Sequence, residues 1–280
     1  MARVVTINGV NYDTKTANKS FLQVAKDLKT AGIKNWYFML QINDVSLLGV
    51  NPYAKDEKTN EVLVTKDQID RINLECRRNP WYYLREISRI PTAGYSNGVP
   101  YIANRGNIAQ AWCFLHGIDS WLCLTRQQGK TKSALAIQGW GYSFGTENST
   151  FLFINKDGDN AKMNLRDLVD QLDLLPPYLR FESVMEEDGK ITKEINNATR
   201  LWHPITKNEI VVKAKASSYA DALSKARGMT APIMHFDEPE FTPFIDVIVE
   251  NSVSTFETAA RKSKEAGGLY GRIFTYKKCA

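Results

Sequence analysis

Apolar positions recur along the chain at two different periods, and the change falls near residue 100. Before it the pattern is helical. Phe21, Val24 and Leu28 recur at helical spacing behind Ser20 and Gln23, which form an S-x-x-Q capping box, and Gly32 supplies a stop. Residues 44–62 are rich in Asn, Asp, Lys, Gly and Pro and read as a loop. A second box, Thr65 to Gln68, opens a helix carrying Ile69, Ile72 and Cys76. In N-P-W-Y-Y-L-R-E-I-S-R-I-P, Pro80 sits at a helix start and Pro91 ends the segment. The area buried by Trp81, Tyr82 and Tyr83 favours core packing over stacking on bases.

After residue 100 short apolar runs alternate with helical patterns. Ser120–Thr125 reads as a strand, followed by a Gly-containing turn and a helix from Lys130 to about Tyr142. Thr150–Asn155 is a second strand, and Met163, Leu165, Leu168, Val169 and Leu172 mark the helix after it, which Pro176 and Pro177 end. Arg200–Trp202 and Glu209–Lys215 pair as a hairpin around Pro204–Asn208. Ser218–Ala226 is a short helix, Pro232–Phe236 a buried strand, Pro243–Lys264 a long helix and Tyr270–Tyr276 a last strand. This rhythm predicts a three-layer α/β fold with a mainly parallel sheet, preceded over residues 1–98 by a mostly helical region.

Composition narrows the function classes without choosing one. The formal net charge of +5 permits a polyanionic partner and does not require it. Cys76, Cys113, Cys123 and Cys279 form no C-x-x-C pair, and His116, His203 and His235 add no ligand spacing, so zinc is not expected and the cysteines read as reduced thiols. The opening residues do not read as a signal peptide, and no run of 18 apolar residues spans a membrane.

The sharpest chemical signal is Thr125-Arg126-Gln127-Gln128-Gly129-Lys130-Thr131, a G-K-T turn between an apolar strand and a helix. Backbone N–H groups of such a turn and of the helix N-terminus favour bound phosphate. Lys130 would reach the β- and γ-phosphates of ATP, and Thr131 would ligate Mg²⁺, with Lys132 one residue further along. The pattern departs from the usual one at Leu124, where the first glycine would stand. A second signal is Pro232-Ile-Met-His-Phe-Asp237-Glu238, an apolar strand ending in two carboxylates. Asp237 would hold Mg²⁺ through water, and Glu238 would orient and deprotonate the attacking water. Asn155-Lys156-Asp157-Gly158 is similar to the guanine-reading N-K-x-D. Gly158 occupies the carboxylate position, however, and the motif precedes the acidic strand, so a GTPase is rejected.

Together these residues resemble the terminase large subunit of tailed phages, the motor that pumps DNA into the capsid. T-R-Q-Q-G-K-T is similar to that family's variant Walker A, and I-M-H-F-D-E-P-E to its Walker B with the catalytic glutamate. N-K-D-G-D-N-A-K with L-L-P-P-Y-L, N-P-W-Y-Y-L-R-E-I-S-R-I-P and N-S-V-S-T-F-E-T-A-A-R resemble further segments, so the likeness runs from about residue 76 to 274. The resemblance implies an additional-strand P-loop ATPase core over residues 99–280. It implies ATP and Mg²⁺ as cofactors and a homo-oligomeric ring on the portal of a procapsid. Double-stranded DNA would be held by its backbone, a small terminase subunit would be a partner, and the setting would be the host cytoplasm. Arg126 matches an arginine that approaches the γ-phosphate within its own subunit, and Arg227 one that acts on a neighbour's nucleotide. For Arg227 a helix-end charge is the competing reading. The adenine-binding segment corresponds to Asn104–Gln110, with Arg105, Asn107 and Gln110 as candidates and no match to the usual glutamine.

The chain departs from the family where I-F-T runs into Tyr276-Lys277-Lys278 in place of a T-T-P-like coupling motif. The nuclease domain of a full large subunit is not read here, as in a fragment or a split gene, so no DNA cutting is expected from these residues. The insertion at about 182–208 and the N-terminal helices are expected to form a lid and subunit contacts. Two other readings stay open: another P-loop nucleic-acid translocase or helicase, and a degenerate, non-catalytic packaging adaptor.

Overall fold

The computed structural model describes residues 4–7, 10–13, 19–33, 50–125, 127–181, 183–185, 189–225, 229, 231–265 and 273–279. The chain divides into two compact units, Met1–Arg105 with Gln171–Arg180, and Gly106–Asp170 with Phe181–Ala280.

In the first unit β1 (Val4–Ile7) and β2 (Val10–Asp13) form an antiparallel hairpin, followed by α1 (Lys19–Thr30). Then come α2 (Lys66–Arg78) and α3 (Pro80–Tyr82), which runs on as a π-turn over Tyr83–Ile87. A second hairpin, β3 (Arg89–Thr92) with β4 (Tyr95–Pro100), completes it. The Thr65–Gln68 box forms as expected: the Thr65 hydroxyl accepts from Gln68 N while Thr65 N donates to Gln68 Oε1 at 2.9 Å. The Ser20–Gln23 box does not. Helix α1 already includes Lys19, so Ser20 is past the cap position. Its hydroxyl instead accepts from Ala103 N at 3.2 Å, and Gln23 bonds Asp27 at 2.8 Å. Gly32 does end the helix, with a left-handed φ of +73°. Tyr82 and Tyr83 are buried, as the packing argument expects. The two hairpins are additions to a region expected to be mostly helical.

The second unit carries α4 (Arg105–Leu115, its first residue belonging to the other unit), β5 (Ser120–Leu124), α5 (Lys130–Trp140), β6 (Thr150–Asn155) and α6 (Gly158–Leu172, its last two residues belonging to the other unit). Short strands follow: β7 (Ser183–Met185), β8 (Ile191–Lys193), β9 (Ile195–Asn196) and β10 (Arg200–Trp202). The rest is β11 (Glu209–Ala214), α7 (Tyr219–Ser224), β12 (Ile233–Asp237), α8 (Ile245–Glu265) and β13 (Ile273–Cys279). One seven-stranded sheet runs in the order β5-β13-β12-β6-β11-β10-β9. Its first five strands are mutually parallel, and β10 and β9 are added antiparallel.

The apolar runs of β6 and β12 are strands buried on both faces, which removes the alternation that the half-exposed β5 keeps. On β6 and β12, Leu152, Ile154, Met234 and Phe236 cluster with Ala222 of α7 and with Ile248 and Phe256 of α8. The alternate residues Phe151, Phe153 and His235 point the other way, where Phe153 meets the His235 ring edge-on. On that face Gly141, just past α5, lies so close that a Cβ there would sit 3.0 Å from the Phe151 ring. From Ser133 to Trp140 every residue of α5 is buried, so helices cover both faces and the layers number three.

Asn208, fully buried, ties this packing together at the opposite end of the parallel strands from Asp237. Its Oδ1 accepts from Ser149 N at 2.9 Å, and its Nδ2 donates to Tyr142 O at 2.8 Å and Thr146 O at 2.7 Å. Replacing it with Ala strands several buried polar groups and leaves a void, so Asn208→Ala should lower the unfolding free energy by about 3 kcal/mol. Denaturant titration measures this, and a loss below about 1 kcal/mol would show the latch to be dispensable.

Candidate nucleotide site

β6 and β12, buried on both faces, send their polar chemistry to their ends, and the C-terminal ends of these strands and of the half-exposed β5 carry it here. Register fixes their spacing. Leu124 pairs with Cys279 of β13, and Asp237 pairs with Lys277 of β13. The turn after β5 therefore leaves the sheet two residues beyond the level of Asp237, about 7 Å along the strands and about 10 Å across the intervening β13.

Thr125 and Gln127 to Gly129 are exposed, and two of these residues are left-handed, Gln127 with φ +62° and Gly129 with φ +69°. Such backbone gathers N–H groups into an anion-binding concavity. Lys130, the first residue of α5, is buried and reaches back across the turn, its Nζ donating to Leu124 O and to Thr125 O at 2.8 Å. An ammonium has three donors, so one remains for another acceptor. Behind the turn, Asn107 of α4 donates to Gln128 O at 3.3 Å, bracing the loop from below. Thr131 is half-buried, and Lys132 pairs with Asp167 of α6 at 2.6 Å.

Across β13, Asp237 is buried and its Oδ2 accepts from Asn164 Nδ2 at 2.8 Å. Asn164 occupies a position of the α6 stripe otherwise built from Ala161, Leu165 and Leu168. Glu238, one residue past β12, is left-handed with φ +53° and stands directly before Pro239. Its carboxylate pairs with Lys156 at 2.9 Å, and that contact, chiefly the hydrogen bond, raises the lysine pKa. Register explains the pair: Phe236 lies beside Ile154, so two residues further on Glu238 comes level with Lys156. Asp157, in the segment similar to a guanine-reading motif, caps α6. Its carboxylate accepts from Asn160 N at 2.7 Å, and this bond holds its pKa down.

Lys130, Asp237 and Glu238 are thus brought to one edge of one sheet. Of the remaining sequence candidates, Arg105 is exposed at the first turn of α4, and Gln110 is buried with its side-chain oxygen unpartnered among the described residues. Arg126 and Arg227 lie outside the described residues. Asn164 and Lys156 were missed as site residues. An asparagine in an apolar helical stripe was the signal for the first.

No protein-family model matches the sequence, and no curated protein sequence matches it. Solved structures similar to the chain include phage large terminases, the family the sequence resembles. That of bacteriophage HK97 has 12% identity and a TM-score of 0.45, over 75% of this chain and 37% of its own. The ATPase domain from Thermus phage P74-26 has 18% identity and a TM-score of 0.39, over 67% of this chain and 69% of its own. A large terminase from a thermophilic bacteriophage, in complex with ADP, has 13% identity and a TM-score of 0.42, over 63% of this chain and 39% of its own. The chain therefore spans well under half the length of the HK97 protein, and no residue here takes a role from these likenesses.

The Asn164–Asp237 bond is measurable apart from any activity. A buried carboxylate that loses its amide donor is left in dry surroundings. In a double-mutant cycle with Asn164→Leu and Asp237→Leu, the two changes should couple by about 1–3 kcal/mol in unfolding free energy. Additive effects would show that the two side chains do not depend on each other.

Proposed function

We propose that the chain is a magnesium-dependent P-loop ATPase of the additional-strand type, and that it works as the DNA-packaging motor domain of a phage large terminase. The observation that carries the ATPase reading is the shared sheet edge. A left-handed turn closed by Lys130 and a pair of carboxylates, Asp237 and Glu238, flank one intervening strand, β13. The packaging role, the ring on a portal, the small terminase partner and backbone-held duplex DNA rest on the sequence resemblance.

The donor set suits magnesium. Thr131 and Asp237 offer oxygen alone, and among the described residues no cluster of three or more His, Cys, Asp or Glu side chains competes for a softer metal. Magnesium takes one or two protein oxygens and completes its shell with water and phosphate, neutralising phosphate charge as bonds rearrange. Asn164 would keep the Asp237 carboxylate turned towards that position. Lys130 and the backbone of the turn would hold the β- and γ-phosphates, and Glu238 would take a proton from the attacking water. Lys156 holds Glu238 Oε2 at 2.9 Å, so turnover requires that contact to loosen and free the carboxylate for the attacking water. Arg126 would act within its own subunit, and Arg227 on a neighbour's nucleotide. Residues 99–280 would form the motor core and residues 1–98 a lid.

Lys130→Ala should abolish ATP binding with the fold intact, read by nucleotide titration and circular dichroism. Glu238→Gln should bind Mg²⁺–ATP normally and hydrolyse it roughly 10²–10⁴-fold more slowly, the usual worth of a general base. Full turnover by either folded variant sinks the assignment. A wild-type chain that binds ATP without ever hydrolysing it would favour the packaging adaptor.

A further inference from the structure

The first unit holds a polar cavity of about 390 Å³ that the ATPase reading does not use. Three stretches far apart in sequence build it: the loop at 53–60, the β3–β4 hairpin, and the turn at 173–180. Its walls are tied down by backbone hydrogen bonds. Tyr53 OH donates to Ile87 O at 2.6 Å and sits 3.2 Å from Leu174 O, and Tyr178 OH donates to Pro52 O at 2.8 Å. Gly98 closes the hairpin against the turn, since a Cβ there would fall 2.5 Å from Leu174 Cδ1.

Into this rigid frame project Lys55, Arg89 and Arg180, against a single carboxylate, Asp173. The Arg89 guanidinium carbon lies over the Tyr53 ring, 4.0 Å from its centre, and Nη1 of Arg89 donates to Asn97 O at 3.1 Å. Arg180 commits only its Nε, to Leu175 O at 2.9 Å, which leaves its two terminal amino groups for another acceptor. Among the described residues none of the three cations makes an ion pair. Cations gathered and held this way repel one another unless an anion joins them. Two guanidinium forks and an ammonium on different walls suit a tetrahedral oxyanion, whose oxygens point several ways, better than a planar carboxylate. Ser96 and Asn97 add neutral polar groups, and the volume lies at the lower end of small-molecule sites.

We propose that this cavity binds a phosphate ester. A free mononucleotide and a phosphate of a nucleic-acid backbone carry the same chemistry, and the experiment separates them. The proposal stands whether or not the turn at Lys130 binds ATP.

The test titrates inorganic phosphate into the full chain with the Lys130 turn silenced by Lys130→Ala, or by Lys130→Gln should the alanine perturb folding. Phosphate should bind at one site. Added to that background, Lys55→Gln with Arg180→Gln, both exposed side chains, should weaken it by about tenfold or more with the melting temperature unchanged, and the same pair in the chain with Lys130 intact should leave ATP binding at the turn unchanged. Lys55→Gln alone serves if the pair perturbs folding. Unchanged phosphate affinity in these variants, or no phosphate bound once the turn is silenced, overturns the proposal and leaves the ATPase reading untouched. Displacement of phosphate by AMP but not by a short DNA duplex identifies a mononucleotide site. Displacement by the duplex identifies a backbone contact. Displacement by neither overturns the assignment to a phosphate ester.

Discussion

A strand buried on both faces can present charge to water only where it leaves the sheet. The backbone groups of β6 and β12 are consumed by their neighbours, and their side chains by helices above and below. Everything reactive is pushed to the last residue of the strand or just beyond it. Because β5, β6, β12 and β13 run parallel, those exits lie along one edge. Lys130, Lys156, Asp237 and Glu238 all reach that edge as a result of strand direction and register, with no need of a dedicated scaffold.

That constraint also decides what could be read from the sequence. T-F-L-F-I-N and I-M-H-F-D announce doubly buried strands because a run of four or five apolar residues has few other uses, and their bounds follow closely. The Thr65–Gln68 box is legible because both partners lie within one turn. The Ser20–Gln23 box has the same letters, but Lys19 and Ser20 already lie inside the helix, and a distant amide, Ala103 N, takes the hydroxyl. Local pattern cannot foresee a bond across 83 residues. The hairpins β1–β2 and β3–β4 escape for a different reason: their strands are short, and P-T-A-G-Y-S-N-G-V offers turn residues without apolar alternation.

At the site the residue types were legible and their pairings were not. G-K-T and D-E mark the strand ends. The partners that orient them, Asn164 for Asp237 and Lys156 for Glu238, depend on a helix crossing the sheet and on register between strands brought together only by folding. Asn107 shows the same limit, since it meets the turn at Gln128 O through tertiary packing.

The turn itself carries one further consequence. Gln127 and Gly129 are left-handed, and for Gln127 that conformation costs the chain on the order of 1 kcal/mol. The cost is met when the unit folds, with α5 packed on every side behind the loop. An anion bound there, as proposed, would have little backbone left to reorganise, so the cost would fall on the stability of the unit and not on the affinity of the occupant.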